Sequence, residues 1–365
     1  MSDAYAAAGV DTAAGERAVE LMRSAVAAAT RPEVMGDLGG FAGLFDAGRL
    51  AGYRHPLLAT ATDGVGTKIA VAQAMDVHHT IGIDLVAMVV DDLVVCGAEP
   101  LFLTDYIACG QVVPERIAAI VTGVARGCEL AGCALLGGET AEHPGLLGPA
   151  EYDIAGAGTA VVEADALLGP ARVSAGDLII AMAASGLHSN GYSLARKVLL
   201  ADTGWELTRH IDSLGRTLGA ELLEPTRIYA RDCLALADLL GTDLHAFSHI
   251  TGGGLAANIA RVLPTRLAAD IQRDSWTPPP IFGLIGEVGA VSASDLEHTF
   301  NMGVGMVAIV AADAADRALA ALAAANVASW VVGAARPRGD TEMGDAAAKG
   351  GTGGAVTLVA AHPAG

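Results

Sequence analysis

The chain has 365 residues, 52% of them hydrophobic and 17% charged, which is enough apolar material for two domains and too much for a disordered chain. Its formal net charge is −19. Such a surface repels nucleic acid and anionic membranes, so neither is expected as a partner, and a phosphate-bearing ligand has to be held by local donors or a metal ion.

Apolar periodicity predicts a helix over 13–29, ending near Arg31-Pro32 and followed by the glycine-rich loop Met35 to Phe41. A short strand at 57–62 runs into Asp63-Gly64-Val65-Gly66-Thr67-Lys68. Helical spacing covers 83–95 and 114–131, and strands are expected at 101–109, at 132–136 before a glycine turn, and at 152–162. A composition shift near Gly169-Pro170 sets the expected boundary between an N-terminal domain, 1–169, and a C-terminal domain, 170–335. In the second half, strands are expected at 178–184, 243–249, 303–311 and 328–334, with helices at 192–201, 226–240, 253–263 and 313–325. Alternation of this kind argues for two α/β or α+β domains. Residues 336–365, rich in Gly, Ala and Asp, read as a flexible tail.

The five cysteines include no C-x-x-C pair and fit reduced thiols in a cytoplasmic protein. Residues 1–9 do not have the pattern of a signal peptide, and no run of about 18 purely apolar residues predicts a membrane span.

Several stretches can carry chemistry. Asp63 to Lys68 offers a carboxylate for a hard cation, close backbone approach at Gly64 and Gly66, and a lysine for phosphate; the same residues also make an ordinary strand-ending turn. Asp84, Asp91 and Asp92 lie on one predicted helix, either around a cation or on a solvated acidic face. Gly137-Gly138-Glu139 places a carboxylate after two glycines, as a metal ligand or as the start of a helix. The stretch Ser185 to Ser193 is dense in donors, with His188 a candidate acid, base or phosphate donor and Asn190 beside it. Gly252, Gly253 and Gly254 open a helix and expose backbone N–H groups to an anion, or else Thr251 caps that helix.

These stretches, with Arg31 to Gly36, Thr80 to Met88, Pro225 to Tyr229, Thr251 to Pro264 and Phe300 to Met306, keep one order over most of residues 5–335. In that order the chain closely resembles the phosphoribosylformylglycinamidine cyclo-ligase, or AIR synthetase, family. The resemblance implies a two-domain AIR synthetase-like fold, with an N-terminal sheet domain that pairs in a homodimer and a C-terminal α/β domain. It implies a nucleotide cleft between domains, ATP and magnesium, with potassium as a further option, and formylglycinamidine ribonucleotide as substrate. By the same resemblance, Asp63, Asp91, Asp92 and Glu139 would serve magnesium. Arg23, Gly64, Gly66, Thr67, Lys68, Asn190 and Gly252 to Gly254 would serve the nucleotides, and His188, Asp92 and Lys68 the chemistry. Family members often carry Asn at position 91 and Lys at position 23, where this chain has Asp91 and Arg23. The family's Tyr-Lys-Asp-Ala-Gly-Val reads Tyr5-Ala6-Ala7-Ala8-Gly9-Val10. Relatives built on the same fold for selenophosphate or carbamoyl chemistry would need an early or a terminal cysteine, and no cysteine precedes Cys96 or follows Cys233.

Overall fold

The structure, a computed structural model, describes residues 11–36, 40 and 42–363. The Tyr5–Val10 stretch and most of the loop Asp37 to Phe41 lie outside the described residues. The chain divides into two compact units, one of residues 1–93 and 98–164, the other of 94–97 and 165–365.

In the first unit, helix α1 (Thr12–Ala28) starts at Asp11, whose carboxylate accepts the N–H groups of Ala13 and Ala14. Strand β1 (Pro56–Gly64), helix α2 (Ile69–Met75), helix α3 (His79–Val94), strand β2 (Glu99–Cys109), helix α4 (Pro114–Ala131), strand β3 (Ala134–Glu142) and strand β4 (Tyr152–Glu163) follow. Proline in the first turn and Gly132 at φ +80° bound α4, which is why its limits are legible in the sequence. The sheet order is β1-β4-β2-β3, antiparallel except for the parallel pair β2–β3. Helices α3 and α4 touch backbone to backbone: a Cβ on Gly82 would overlap Ile120 O, and one on Gly123 would overlap His79 O. Leu85, Val89 and Leu93 of α3 then fill the space above Gly156 and Gly158 of β4. Each such buried aliphatic side chain stabilises the packing by about 1.5–3 kcal/mol relative to exposure.

In the second unit, strand β5 (Leu178–Ala183) leads into helix α5 (Tyr192–Arg196), which continues as a π turn over Lys197–Asp202. Helix α6 (Ala230–Leu240), strand β6 (Leu244–His249), helix α7 (Gly254–Val262), strand β7 (Leu267–Gln272), helix α8 (Pro280–Gly289) and helix α9 (Ala293–Thr299) come next. Strand β8 (Val304–Val310), helix α10 (Ala315–Ala324), strand β9 (Ser329–Pro337) and strand β10 (Ala355–Val359) complete the unit. The sheet order is β6-β8-β5-β9-β7-β10. Every residue of β8 is buried, as its unbroken apolar run requires.

Two expectations need correction. The tail does not stay irregular: Ala355–Val359 pairs in parallel with β7, from Ala268↔Ala355 to Gln272↔Val359. Its five-residue apolar and β-branched run was hidden by the glycines around it. And Gly137 to Glu142 is not a turn after a strand but the second half of β3 itself. The interval 264–302, left unassigned by periodicity, holds β7, α8 and α9.

Candidate functional site

The N-terminal unit gathers its acidic candidates around β1 and α3. Asp63 is the second-last residue of β1, half-buried, and its carboxylate accepts the N–H of Gly64 at 2.7 Å. A single-turn 3₁₀ helix, Gly66–Lys68, then reverses the chain, with Gly66 at φ +71° and Thr67 exposed. Lys68, expected to serve a phosphate, has a carboxylate partner within the unit. Its ammonium donates to Asp84 Oδ1 at 2.9 Å, and both side chains are 0% exposed. A lysine enclosed in this way satisfies a buried carboxylate and holds the 3₁₀ turn against α3. Asp84, Met88 and Asp91 fall at i, i+4 and i+7 on one buried stripe of α3, whereas Asp92, one residue further round, is exposed. Glu139 is exposed on β3, opposite Tyr106 of β2. Arg23 is exposed on α1.

The sheet register adds a residue that sequence reasoning missed. Asp63, Gly156, Asp105 and Gly138 form one transverse row across all four strands. Opposed residues share a face, so Asp63 and Asp105 point to the same side, two strands and roughly 10 Å apart. Asp105 is 9% exposed, and burial pushes its carboxyl up to about 7. A Cβ on Gly138 would collide with that carboxylate, so the glycine makes room for it. The signal was present in the strand alternation Leu103, Asp105, Ile107, which puts an acid among inward-facing aliphatics.

Could these carboxylates hold magnesium? Among the described residues no three His, Cys, Asp or Glu side chains stand together at metal-binding distance. The donors present are hard oxygens, partly or fully solvent-facing at Asp63, Asp92 and Glu139, and they suit a hard cation that completes its shell with nucleotide phosphates and water.

In the C-terminal unit, four stretches converge. The loop after β5 puts His188 in a left-handed conformation, φ +61°, with 1% exposure. The Ser185 N–H donates to His188 Nε2 at 3.2 Å, which assigns the ring proton to Nδ1. Ser185 Oγ donates to Pro225 O at 2.6 Å and accepts the Arg227 N–H at 3.1 Å. Ser189 and Thr226 share a hydroxyl contact of 3.0 Å. The Tyr229 ring lies 6.2 Å from the His188 ring, and its hydroxyl donates to Ala183 O at 2.7 Å. Gly305 of β8 sits under both rings, and a Cβ there would strike His188 Cε1 and Tyr229 Oη. That is the physical content of the second glycine in Phe300 to Met306. Asn301 closes the ring of contacts, donating to Gly186 O at 2.9 Å.

The glycine loop is more committed than the sequence implied. The Gly252 N–H donates to Asn190 Oδ1 at 3.0 Å and the Gly254 N–H to Thr251 O at 3.2 Å. Asn190 is therefore a loop-holding residue in this structure. Thr251 is not the cap of α7; Gly253, at φ +99°, occupies that position. Asn258, one turn into α7, donates to Thr251 O at 3.1 Å and Gly254 O at 2.8 Å and fixes the loop from below. An anion at this helix start would meet the amide of Gly253 and those of the first turn of α7 beyond Gly254.

The Arg31-Pro32-Glu33 stretch proves to be an ion-pair network. Arg31 and Arg49 both bind Glu33 and Glu99, and the Arg31 guanidinium, followed by Arg49, pulls Glu33 down to about 2.

Comparison with known proteins bears on both units. Residues 46–162 match the family described as AIR synthase related protein, N-terminal domain, and residues 174–345 match its C-terminal domain. A phosphoribosylformylglycinamidine cyclo-ligase of Brevibacillus brevis is 53% identical over 309 residues, covering 85% of this chain and 88% of that protein. Among solved structures, a thiamine-monophosphate kinase from Stenotrophomonas maltophilia K279a aligns with a TM-score of 0.62 at 19% identity, covering 93% of this chain and 95% of that one. The hydrogenase maturation protein HypE in complex with ATP aligns at 0.59 and 18% identity, covering 89% and 87%. At those identities the two structures establish the shared fold. The sequence match across both units goes further, and the chain belongs to the AIR synthase family, alongside the phosphoribosylformylglycinamidine cyclo-ligases.

Proposed function

We infer that this chain closes the imidazole ring of 5-aminoimidazole ribonucleotide: it cyclises formylglycinamidine ribonucleotide with ATP and releases ADP and phosphate, a ligase step of purine biosynthesis. The observation that carries this is the 53% identity to a cyclo-ligase over 309 residues, spanning both units.

The chemistry asks for little covalent help. A formamide oxygen is a poor leaving group. Transfer of the γ-phosphoryl group of ATP to that oxygen, with ADP leaving, converts it into a good one. The amidine nitrogen then attacks the same carbon, the C–O bond to phosphate breaks, and loss of a proton leaves the aromatic ring. Positioning and charge neutralisation supply most of the acceleration in such transfers. Magnesium, when bound, would neutralise the polyphosphate charge. Asp63 and Asp92, with Asp91 and Glu139, are the residues we assign to it. Thr67 and the Gly64 and Gly66 backbone are assigned to phosphate, and Lys68 to holding that turn through Asp84. His188 would pass a proton through Nδ1, since Nε2 accepts from Ser185. Arg23 remains an assignment by resemblance alone.

We assign homodimer pairing to the open face of the N-terminal sheet, supported by Leu58 at 64% and Tyr106 at 42% exposure on that face. A cytoplasmic location is supported by five cysteines that stand as thiols. Among the described residues no helix is long and apolar enough to cross a membrane.

The test is turnover of formylglycinamidine ribonucleotide with magnesium-ATP, following ADP and aminoimidazole ribonucleotide together. One imidazole product per ADP is expected. ADP release without the imidazole product would overturn the substrate assignment.

A further inference from the structure

The chain contains three lysines, and the structure places each differently. Lys68 is enclosed against Asp84, and Lys197 pairs at the surface with Asp202 at 2.6 Å. Lys349 comes from the C-terminal segment, beyond residue 345 where the family match ends. Its ammonium donates to Thr251 Oγ1 at 2.8 Å, at the head of the Thr251–Gly254 loop.

The segment that carries it is held from several sides. The Lys349 N–H donates to Ala257 O of α7 at 3.0 Å, and the Gly354 N–H donates to Ala260 O at 3.0 Å. The Asp345 N–H donates to Val356 O at 2.7 Å, and the Asp345 carboxylate accepts the Leu358 N–H at 2.7 Å. Strand β10 then ties the segment to the central sheet. The result is a strap along the length of α7, from Thr251 before its first turn to Leu263 just past its end. It also walls a cavity of about 530 Å³ whose lining runs from Gly253 and Ala256 to Asp345, Leu358 and His362.

Lys349 remains exposed while bonded to Thr251. An ammonium has three donors, and Thr251 engages one of them. In a chain of net charge −19, a phosphate arriving at this loop gains from a cation fixed there, because the field of the whole molecule opposes its approach.

We propose that Lys349 is a substrate-binding residue, brought by the C-terminal strap to the Thr251–Gly254 loop, where it takes a phosphate group of one of the two reactants. The proposal rests on the reading that this loop receives a substrate phosphate. The shared chemistry is a phosphate, either the 5-phosphate of the ribonucleotide or the polyphosphate of ATP.

The experiment is steady-state kinetics of the full chain, varying each reactant against saturating amounts of the other, with the thermal midpoint of each variant measured in parallel. Lys349→Met is expected to raise KM for one reactant about tenfold, the loss of a charge-assisted hydrogen bond. The thermal midpoint should hold and kcat should stay near wild type, with Lys349→Arg recovering most of the loss. A shift in KM for the ribonucleotide assigns the 5-phosphate; a shift for ATP assigns the polyphosphate. Wild-type KM for both reactants would overturn the proposal. So would a joint fall in kcat and thermal midpoint that arginine does not rescue, since that marks a purely structural strap. Asn190→Ala, which releases the Gly252 N–H, separates the two layers of the argument. If it raises KM while Lys349→Met does not, the loop reading stands and the lysine is excluded; if neither moves KM, the loop is not a phosphate site.

Discussion

The two units hold their polar centres by opposite means. In the N-terminal unit the centre is charge taken out of water. Lys68 and Asp84 face each other with no exposed surface, Asp91 is buried on the same helix stripe, and Asp105 lies in the transverse sheet row, between the inward-facing Leu103 and Ile107 of its strand. In the C-terminal unit the centre is a largely neutral network around His188, Ser185, Tyr229, Asn190 and Asn301, with Gly305 giving it room. A buried charge is tolerable only while its partner stays, so the first unit should be sensitive to changes of charge. A neutral network loses about one hydrogen bond per deletion but has no slack in volume, so the second should be sensitive to added atoms.

The sharpest way to break this contrast is Lys68→Met, which keeps the volume and leaves Asp84 buried without its ammonium. Removing one partner of a buried pair costs about 3–5 kcal/mol. Urea unfolding is expected to show a loss of that order, and Lys68→Met with Asp84→Leu should recover a large part of it. A single variant with wild-type stability would mean that Asp84 does not depend on Lys68, and the account of the N-terminal centre would fall.

Asp105 gives the next largest effect, and it depends on pH. Burial raises its carboxyl from 3.8 to about 7. An acid that binds its proton more tightly when folded costs nothing below the unfolded value and the full amount above the folded one. Its contribution is therefore destabilising, and stability is lost as pH rises from 3.8 to about 7. At 1.36 kcal/mol per unit, Asp105→Asn should stabilise the chain by at most about 4 kcal/mol at pH 8. Near pH 4 the difference should vanish. Unfolding curves at the two pH values check the sign; an equal effect at both would mean that Asp105 does not titrate in this range.

How much of this was legible beforehand differs between the units for the same reason. Helix α4 and strand β4 could be read to within a residue, because proline, glycine and strict alternation bound them. The convergence of Ser185, Pro225, Thr251 and Phe300 stretches was legible only as a set of motifs in order, since hydrogen bonds such as Asn190 to Gly252 span 62 residues. The Lys68–Asp84 pair was not legible, because a lysine after two glycines looks the same in sequence whether or not a buried carboxylate 16 residues on is its partner. Strand β10 was lost in a glycine-rich tail whose average composition outweighed five residues. Pairing partners, unlike periodicity, are not written locally.

For the C-terminal unit the matching test is volume. Gly305→Ala adds one methyl where His188 and Tyr229 already occupy the space. Overpacking of this kind costs about 1–3 kcal/mol. Displacement of His188 should also lower kcat by more than it raises KM, because the ring is assigned to proton transfer rather than to binding. Full activity with unchanged stability would show that the loop yields, and that the clearance at Gly305 is not a constraint.

The smallest effect comes from the Tyr229 hydroxyl of that network. Tyr229 is 0% exposed, and its hydroxyl donates to Ala183 O, at the last residue of β5 before the His188 loop. Tyr229→Phe keeps the ring beside His188 and deletes only the oxygen. If neutral hydrogen bonds carry the C-terminal centre one at a time, stability should fall by about 1 kcal/mol. The effect should also be independent of pH between 5 and 8, in contrast to Asp105→Asn. A loss that instead grew across that pH range would tie the Tyr229 hydroxyl to a titrating neighbour, and the second centre would then be electrostatic in the same sense as the first.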